Sequence, residues 1–548
     1  MTLQPQPILP VPEETARVAQ AAFSKGNVYL QLRAELGTIY EDAFFAELYP
    51  QDGQPAASPW RLALVTVLQF AENLPDRQAA DAVRSRIDWK YLLGLELSDP
   101  GFDYSILCEF RARLVAGNMT DRLLDHLLQL LKEKGLLKSR GRQRTDSTHV
   151  LAAVRDLNRL ELVGTTLLHA LNSLAIIVPE WLKRMTPAEW TQRYSTRWEE
   201  YRLPKTEAER LVLGEQVGRD GIELLTALFS EGTPAWFRQI PAVETLQLIW
   251  IQNFYEEEGT IRWRRAGNIP PAAKAICSPF DLQAHYSIKR QTEWAGYKAH
   301  LTETCERDAP HLIVHVITTA ATQQDSEVTA ELHQALADKD LLPDEHLLDQ
   351  GYSDSHDLIQ AHQVYGIEMV MPMRTDHAWQ SQIPNGYDLS CFQIEWEAQQ
   401  VHCPQGKTSA SWRCAHDKQG HPRIEVMFNN SDCAPCPARA LCTKSKRQRR
   451  KLTFRPQSEH ELIQAARTYQ QTQEFKERYA ARAGVEGTVS QAVSALDMRR
   501  SRYRGHPKTH LQHVVTAVAI NIKRTMSWLN DVPFAETKAS RFAALMAP

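Results

Sequence analysis

Asp146 and Asp349 stand where a carboxylate usually has work to do. Asp146 lies inside a strand-like run, RTDSTHV (144–150), and Asp349 closes the run HLLD just before Gln350-Gly351-Tyr352. An acid within a strand is costly unless it is paired or holds a metal. Acids at the C-terminal ends of sheet strands commonly face ligands in α/β proteins. Each also has a plainer reading, Asp146 as an Asx-turn or helix cap and Asp349 as a turn residue. Glu486 sits in a helical stretch between Gly484 and Gly487, where a lone Glu is ordinarily a surface residue. Carboxylates far apart in sequence but able to converge suit phosphodiester chemistry. Two divalent ions about 4 Å apart activate the attacking oxygen and stabilise the leaving one. Mg²⁺ prefers oxygen ligands and keeps several waters, so two or three carboxylates suffice.

Thiols form a second cluster. Cys433-Ala-Pro-Cys436 is a Cys-x₂-Cys knuckle, with Cys442 six residues on, Cys403 upstream in HCPQG, and Cys414 between. Four thiolates hold Zn²⁺ tetrahedrally in small β insertions, which makes Cys403, Cys433, Cys436 and Cys442 the expected ligands and Cys414 the competitor. The alternative is buried free thiols. Other motifs fail: Gly406-Lys407-Thr408 lacks the first glycine of a phosphate loop, because Val401 stands there, and His460-Glu461 is followed by Gln464 where a zinc protease helix needs His.

Net charge is −3, with 43% hydrophobic and 24% charged residues, the balance of a globular chain and no announcement of a nucleic-acid partner. The cations are nevertheless bunched: Arg140, Arg142 and Arg144; Arg262, Arg264 and Arg265; Lys444 to Lys451; and Arg499, Arg500, Arg502, Arg504 and Lys508. A nucleic-acid footprint needs only one basic face, although any single run also reads as a solvated surface. No run approaches the ~18 uninterrupted apolar residues of a membrane span, and the N-terminus lacks the pattern of a secretion signal. The expectation is a cytoplasmic protein.

These residues need elements to position them. At about 150 residues per domain, the length suggests several units. Residues 1–26 are proline-rich and read as extended. Helical spacing follows to about Leu137, with Ser58 as an N-cap for the helix from Pro59 and short helices at Arg77–Ser85, Trp89–Leu93 and Tyr104–Leu114. A strand-like run carries Asp146, residues 156–266 read as helical, and strands are expected at Trp294–Glu303, Leu312–Ala320, His346–Asp349 and Ile367–Met373, with helices at 325–337 and 355–364. Such alternation argues for an α/β core. The expected domains are a helical N-terminal domain (1–140), the first part of the core (141–375) with a helical insertion near 156–266, a cysteine-rich β insertion (376–455), a C-terminal helical region (456–530), and a tail (531–548).

Five blocks together resemble the insertion-sequence transposases of the DDE, RNase H-like type, from about Leu48 to Leu529. SRIDWKYLLGLELSDPGFDYSILCEFRARL (85–114) is similar to their helical DNA-binding module. RTDSTHVLAAVRDLNRLELV (144–163) and LLDQGYSDS (347–355) resemble the blocks with the first and second catalytic Asp, WAGYKAHLTETCE (294–306) the second and third strands, and YAARAGVEGTVSQAV (479–493) with the run 498–524 the helix of the catalytic Glu. Relatives show Tyr, Arg three on, Glu four further and Lys seven beyond. Here Tyr479, Arg482 and Glu486 fit, but Val493 replaces the Lys, whose role falls to Arg499, Arg500 or Lys508 if to any residue.

The resemblance implies an RNase H-like mixed sheet, with Asp146, Asp349 and Glu486 binding two Mg²⁺ ions (Mn²⁺ substituting). It implies cleavage at transposon ends and strand transfer into target DNA. Tyr479, Arg482, Lys298, Arg499, Arg500, Arg502 and Lys508 would contact DNA. The partners implied are double-stranded DNA with terminal inverted repeats and a second copy in the synaptic complex, with the protein on the nucleoid of a bacterial-type cell. Two alternatives stay open: a silent, domesticated DNA-binding relative, and an RNase H-like nuclease that cuts without joining. Asp146 and Asp349 draw support from their strand settings, whereas Glu486 rests on the resemblance through Tyr479 and Arg482.

Overall fold

Pro59–Ala71 shows how the N-terminal helices are built. Pro at the first position suits a helix start, but the Ser58 hydroxyl does not cap it; it donates to Asp42 Oδ1 (2.8 Å), and the same oxygen accepts Trp60 N–H (3.3 Å). The helix is buried from Pro59 to Phe70 except at Arg61 and packs on the long C-terminal helix His506–Leu529, itself buried along most of its length. The computed structural model describes residues 2–289, 291–373, 378–417, 420–533 and 545; the tail after Val532 and Pro533 lies outside the described residues apart from Leu545. The chain divides into two units. One holds Met1–Lys138, Asp146–Gln323 and Glu486–Pro548, and the other holds Ser139–Thr145 and Gln324–Val485.

The first unit begins with a correction. Residues 1–26 are not simply extended, because Glu13–Ala22 forms a helix after Pro12, with Glu13 and Glu14 in its first turn where acids favour the helix dipole. Helices Asp76–Ser85, Ile87–Leu93, Ser105–Ala116 and Thr120–Glu133 follow. Strand β1 (Arg142–Leu151) leads into the insertion, whose helices Arg159–Ile177, Glu207–Phe229 and Pro241–Asn253 surround an apolar core that includes Trp190, Trp198 and Trp250. Asn158 and Glu161 make a reciprocal capping box at its start. The insertion is not wholly helical, since β2 (Phe254–Glu257) and β3 (Thr260–Trp263) form a hairpin at its end. Helix Arg159–Ile177 is long and apolar enough by composition to cross a membrane, yet 56% of that window is buried inside the protein.

Strands β4 (His285–Lys289), β5 (Thr292–Thr304) and β6 (Ile313–Ala320) complete this unit as an antiparallel meander. From Trp294 to Thr304 every residue of β5 is buried, as expected of a strand covered on both faces. Gly296, at φ 153°, has no room for a side chain: a Cβ there would lie 2.2 Å from the Val150 carbonyl oxygen of β1.

In the second unit the first residues of β1 pair in parallel with β7 (Glu345–Leu347), which pairs in parallel with β8 (Glu368–Val370). Helix Thr329–Asp338 precedes β7, and Ser355–Gln360 connects β7 to β8, running on into a π-helical turn, Ala361–Tyr365. A small β module follows: β9 (Gln393–Glu395) with β10 (Gln400–His402), and the sheet β11 (Ser411–His416), β12 (Pro422–Met427) and β13 (Lys451–Phe454). Helices Gln457–Tyr469 and Gln473–Ala480 lead to Gly484–Leu496, which passes back into the first unit at Glu486. Alternating strands and helices, with parallel and antiparallel pairs, make the mixed α/β class.

Candidate active site

Asp146 is half-buried on β1, and its carboxylate accepts the backbone N–H of Ser147 at 2.8 Å. The residue before it is locked: Thr145 Oγ1 bonds His346 Nε2 on β7 (2.8 Å), and His346 Nδ1 bonds His333 Nε2 on the helix Thr329–Asp338 (2.9 Å). Burial lowers both histidines, His333 to about 4 and His346 well below its ordinary value, so the relay is uncharged at neutral pH. His149 and His300 also have structural settings: His149 is lowered by burial and by the charges of Arg499 and Lys289, and His300 bonds Thr319.

Glu486 is exposed in the first turn of Gly484–Leu496, where the helix dipole favours an anion. Two residues on, Thr488 fixes that helix to β5. Its hydroxyl donates to the fully buried Glu303 (2.5 Å), and Arg524 donates to both Glu303 Oε2 (2.7 Å) and Thr488 Oγ1 (2.6 Å). The Glu303 carboxylate is therefore paired and hydrogen-bonded, the condition for burying a charge. Val493, in the place of the family's Lys, is half-buried on the same helix.

Asp349 caps a short 3₁₀ turn, Gln350–Tyr352, by accepting Gly351 N–H at 2.7 Å. Arg482 stands 3.9 Å from its other oxygen. Of the predicted residues, this pair is brought together within one unit. A Cβ built on Gly351 would be 2.8 Å from Asp349 Oδ1 and 3.2 Å from Asp325 Oδ2, so two carboxylates flank the same glycine. Asp325 was not foreseen; in the run Gln323-Gln324-Asp325-Ser326 it reads as an ordinary helix start. Tyr479 stacks on Phe475, ring centroids 5.3 Å apart and 11° from parallel.

Two of the predicted DNA contacts, Lys298 and Arg502, have partners within the protein. Lys298 is buried and its ammonium donates to the Gln323 carbonyl (2.6 Å). Arg502 donates to the Leu74 carbonyl (2.8 Å) and to Asn73, with its guanidinium over Phe70. In the first basic run Arg142 pairs with Glu345 (2.6 Å) and Arg144 donates to the Ala481 carbonyl (2.6 Å). Gly484 gives this guanidinium room, since a Cβ there would sit 2.0 Å from Arg144 Nη1 and the arginine would have to shift. By contrast Arg499, Arg500 and Lys508 are exposed, with Arg499 Nε bonded to Thr148 (3.0 Å), two residues from Asp146.

Cys403, Cys433, Cys436 and Cys442 line one small cavity of about 30 Å³, and Cys414 is exposed on β11 outside it. Burial pushes the Cys442 thiol up to about 11, against the pull of Arg450. Among the described residues no group of three or more His, Cys, Asp or Glu side chains stands ready to hold a metal ion.

Comparison with known families finds two matches. Residues 402–526 match the Transposase DDE domain and residues 18–113 the Transposase domain (DUF772). The first span contains Tyr479, Arg482, Glu486 and the four thiols; Asp146 and Asp349 lie outside both. No curated protein and no solved structure matches the chain.

Proposed function

The two domain matches support an insertion-sequence DDE transposase, and from that premise we propose that this chain cuts DNA at transposon ends and joins the freed 3′-hydroxyl to target DNA. The observation that carries the reading is that the DDE-domain match spans Tyr479, Arg482 and Glu486 with the family's spacing. Asp146, Asp349 and Glu486 are the catalytic acids. Their donor atoms are all carboxylate oxygens, the set that hard divalent ions such as Mg²⁺ take. When bound, the metal neutralises charge on the phosphate and activates the attacking oxygen.

The chain's own groups do the positioning. The Asp349 carboxylate is held by Gly351 N–H, and Arg482 beside it offers a fork of donors to a phosphate oxygen. Tyr479, braced on Phe475, presents a ring for stacking on a base. Arg499, Arg500 and Lys508 supply backbone contacts, which set register but read no sequence. Two copies bind paired ends marked by inverted repeats, and the protein works in the cytoplasm on the nucleoid.

The test uses the full chain, DNA carrying the ends that flank its gene, and Mg²⁺. Asp146→Asn, Asp349→Asn and Glu486→Gln each lower the cleavage rate by at least about a hundredfold while end-binding persists. Retained cleavage in any one removes that acid from the site. Products cut but never joined favour the nuclease. The absence of Lys at 493 favours a second reading, a relative that binds ends without nicking; in that case the unaltered chain leaves the ends intact in Mg²⁺ and Mn²⁺.

A further inference from the structure

The β module has a small apolar core: Phe392, Val401, Ile424, Val426, Phe428, Leu452 and Phe454. Cores of this size rarely hold a fold alone, and small modules commonly add a disulfide or a metal. The module's cysteines form no disulfide, so none does this. Four of them, from three separate turns, meet instead at one cavity at the edge of this core.

The turns have the form of metal knuckles. At Cys403-Pro404-Gln405-Gly406-Lys407 the chain reverses: Cys403 N–H donates to the Lys407 carbonyl (2.9 Å) and Gly406 N–H to the Cys403 carbonyl (2.8 Å). Gly406 takes φ 73°, which a side chain would resist. The reversal points Lys407 N–H at Cys403 Sγ (3.4 Å), a backbone donor already aimed at the sulfur. Lining the same cavity, Cys433 closes the turn Asn430–Cys433, Cys436 N–H donates to the Cys433 carbonyl (3.3 Å), and Cys442 closes Arg439–Cys442.

The cavity's charge also fits. A divalent ion with four thiolates carries a net charge of about −2, and Lys407, Arg439 and Arg450 line the same cavity, with Asp432 the one acid among its walls. Arg450 further donates to the Cys442 carbonyl (2.7 Å), as does Gln380 (2.9 Å), which pins the last thiol's turn.

We propose that Cys403, Cys433, Cys436 and Cys442 bind one zinc ion as a tetrathiolate and that this ion completes the fold of the β module. The thiols do not stand as a closed ligand set, so binding the ion requires them to converge on it. Each thiol that becomes a ligand loses its proton to solvent, so affinity falls as pH falls. The inference rests on the module alone and is independent of the transposition chemistry.

The full chain, purified without added metal, is assayed for zinc and titrated with Co²⁺ after the zinc is stripped. The expected result is about one zinc per chain, the intense visible absorption of tetrahedral cobalt thiolate, and zinc protection of four thiols from a thiol reagent. Cys403→Ser and Cys436→Ser lose the metal, and Cys414→Ser keeps it. A wild-type chain that holds no zinc, gives no cobalt-thiolate bands, and whose module thiols all react alike with or without zinc overturns the proposal. Because the cobalt and thiol measurements use the unaltered chain, a misfolded variant does not decide the question.

Discussion

The helical insertion and the cysteine module solve the same problem by different means. The insertion is held by aromatic rings seated on glycines. Along Glu207–Phe229, Gly214 faces Trp263, Gly218 faces Phe254, and Gly221 faces Trp250, and on Arg159–Ile177 Gly164 faces Trp198; a Cβ at any of the four would come within 3 Å of a ring atom. Glycine costs helix stability, and here the cost is offset by the close approach of large rings, each with a big apolar face. Trp250 also donates its Nε1–H to the Gly218 carbonyl (3.0 Å), so its polar atom is satisfied. The module has far fewer buried side chains and gathers thiols at the edge of its core. An inserted segment with enough apolar surface needs no cross-link, and one without it is where a bound ion would add most.

The comparison breaks most directly at Gly221. Gly221→Val places a branched side chain where the Trp250 ring already lies 2.1 Å from the Cβ position, and the expected loss is about 3 kcal/mol in denaturant unfolding. An unchanged midpoint would mean that ring packing does not hold the insertion. Next in size, if the four thiols hold zinc as proposed, chelating it should speed amide exchange in β11–β13 by about a hundredfold and leave the helices Arg159–Ile177 and Pro241–Asn253 as protected as before. Equal loosening of both regions would erase the distinction.

The smallest effect is electrostatic. Arg413, Lys451 and Arg423 surround Glu425 on β12 and hold its carboxyl at about 2, below the ordinary 4.5. A depressed folded pKa stabilises the module above the ordinary value and is lost as pH falls toward 2. Unfolding curves of Glu425→Gln and the unaltered chain should therefore differ at neutral pH and converge between about pH 4.5 and 2. A gap that stays constant across that window excludes the carboxylate as its source.

Local pattern made much of the fold legible. The strands around Asp146, Trp294–Glu303 and Leu312–Ala320 follow from runs of apolar and branched residues, and the structure has β1, β5 and β6 there. What the sequence hid depends on distant partners. Nothing local tells that Arg502 ends at a carbonyl more than 400 residues away or that Lys298 turns inward. The helix Glu13–Ala22 was masked by flanking prolines, and the hairpin Phe254–Trp263 by its continuity with a long helical stretch. Within the site, Asp349 forms the turn its plainer reading describes and also stands beside Arg482, so the two readings were never exclusive. Asp325 is not legible in the sequence because it and Asp349 come to flank Gly351 only in three dimensions.

The inward-facing cations bear on how this protein would search a genome. Each phosphate neutralised on duplex DNA steepens the salt dependence of binding by about 0.9 log units per decade, because condensed counterions are released. An arginine bonded to a carbonyl or paired with a glutamate, as Arg502 and Arg142 are, has its charge already engaged within the protein. The ionic-strength slope thus measures the working footprint; if, as proposed, the exposed Arg499, Arg500 and Lys508 make the backbone contacts, that slope is shallower than the basic runs suggest.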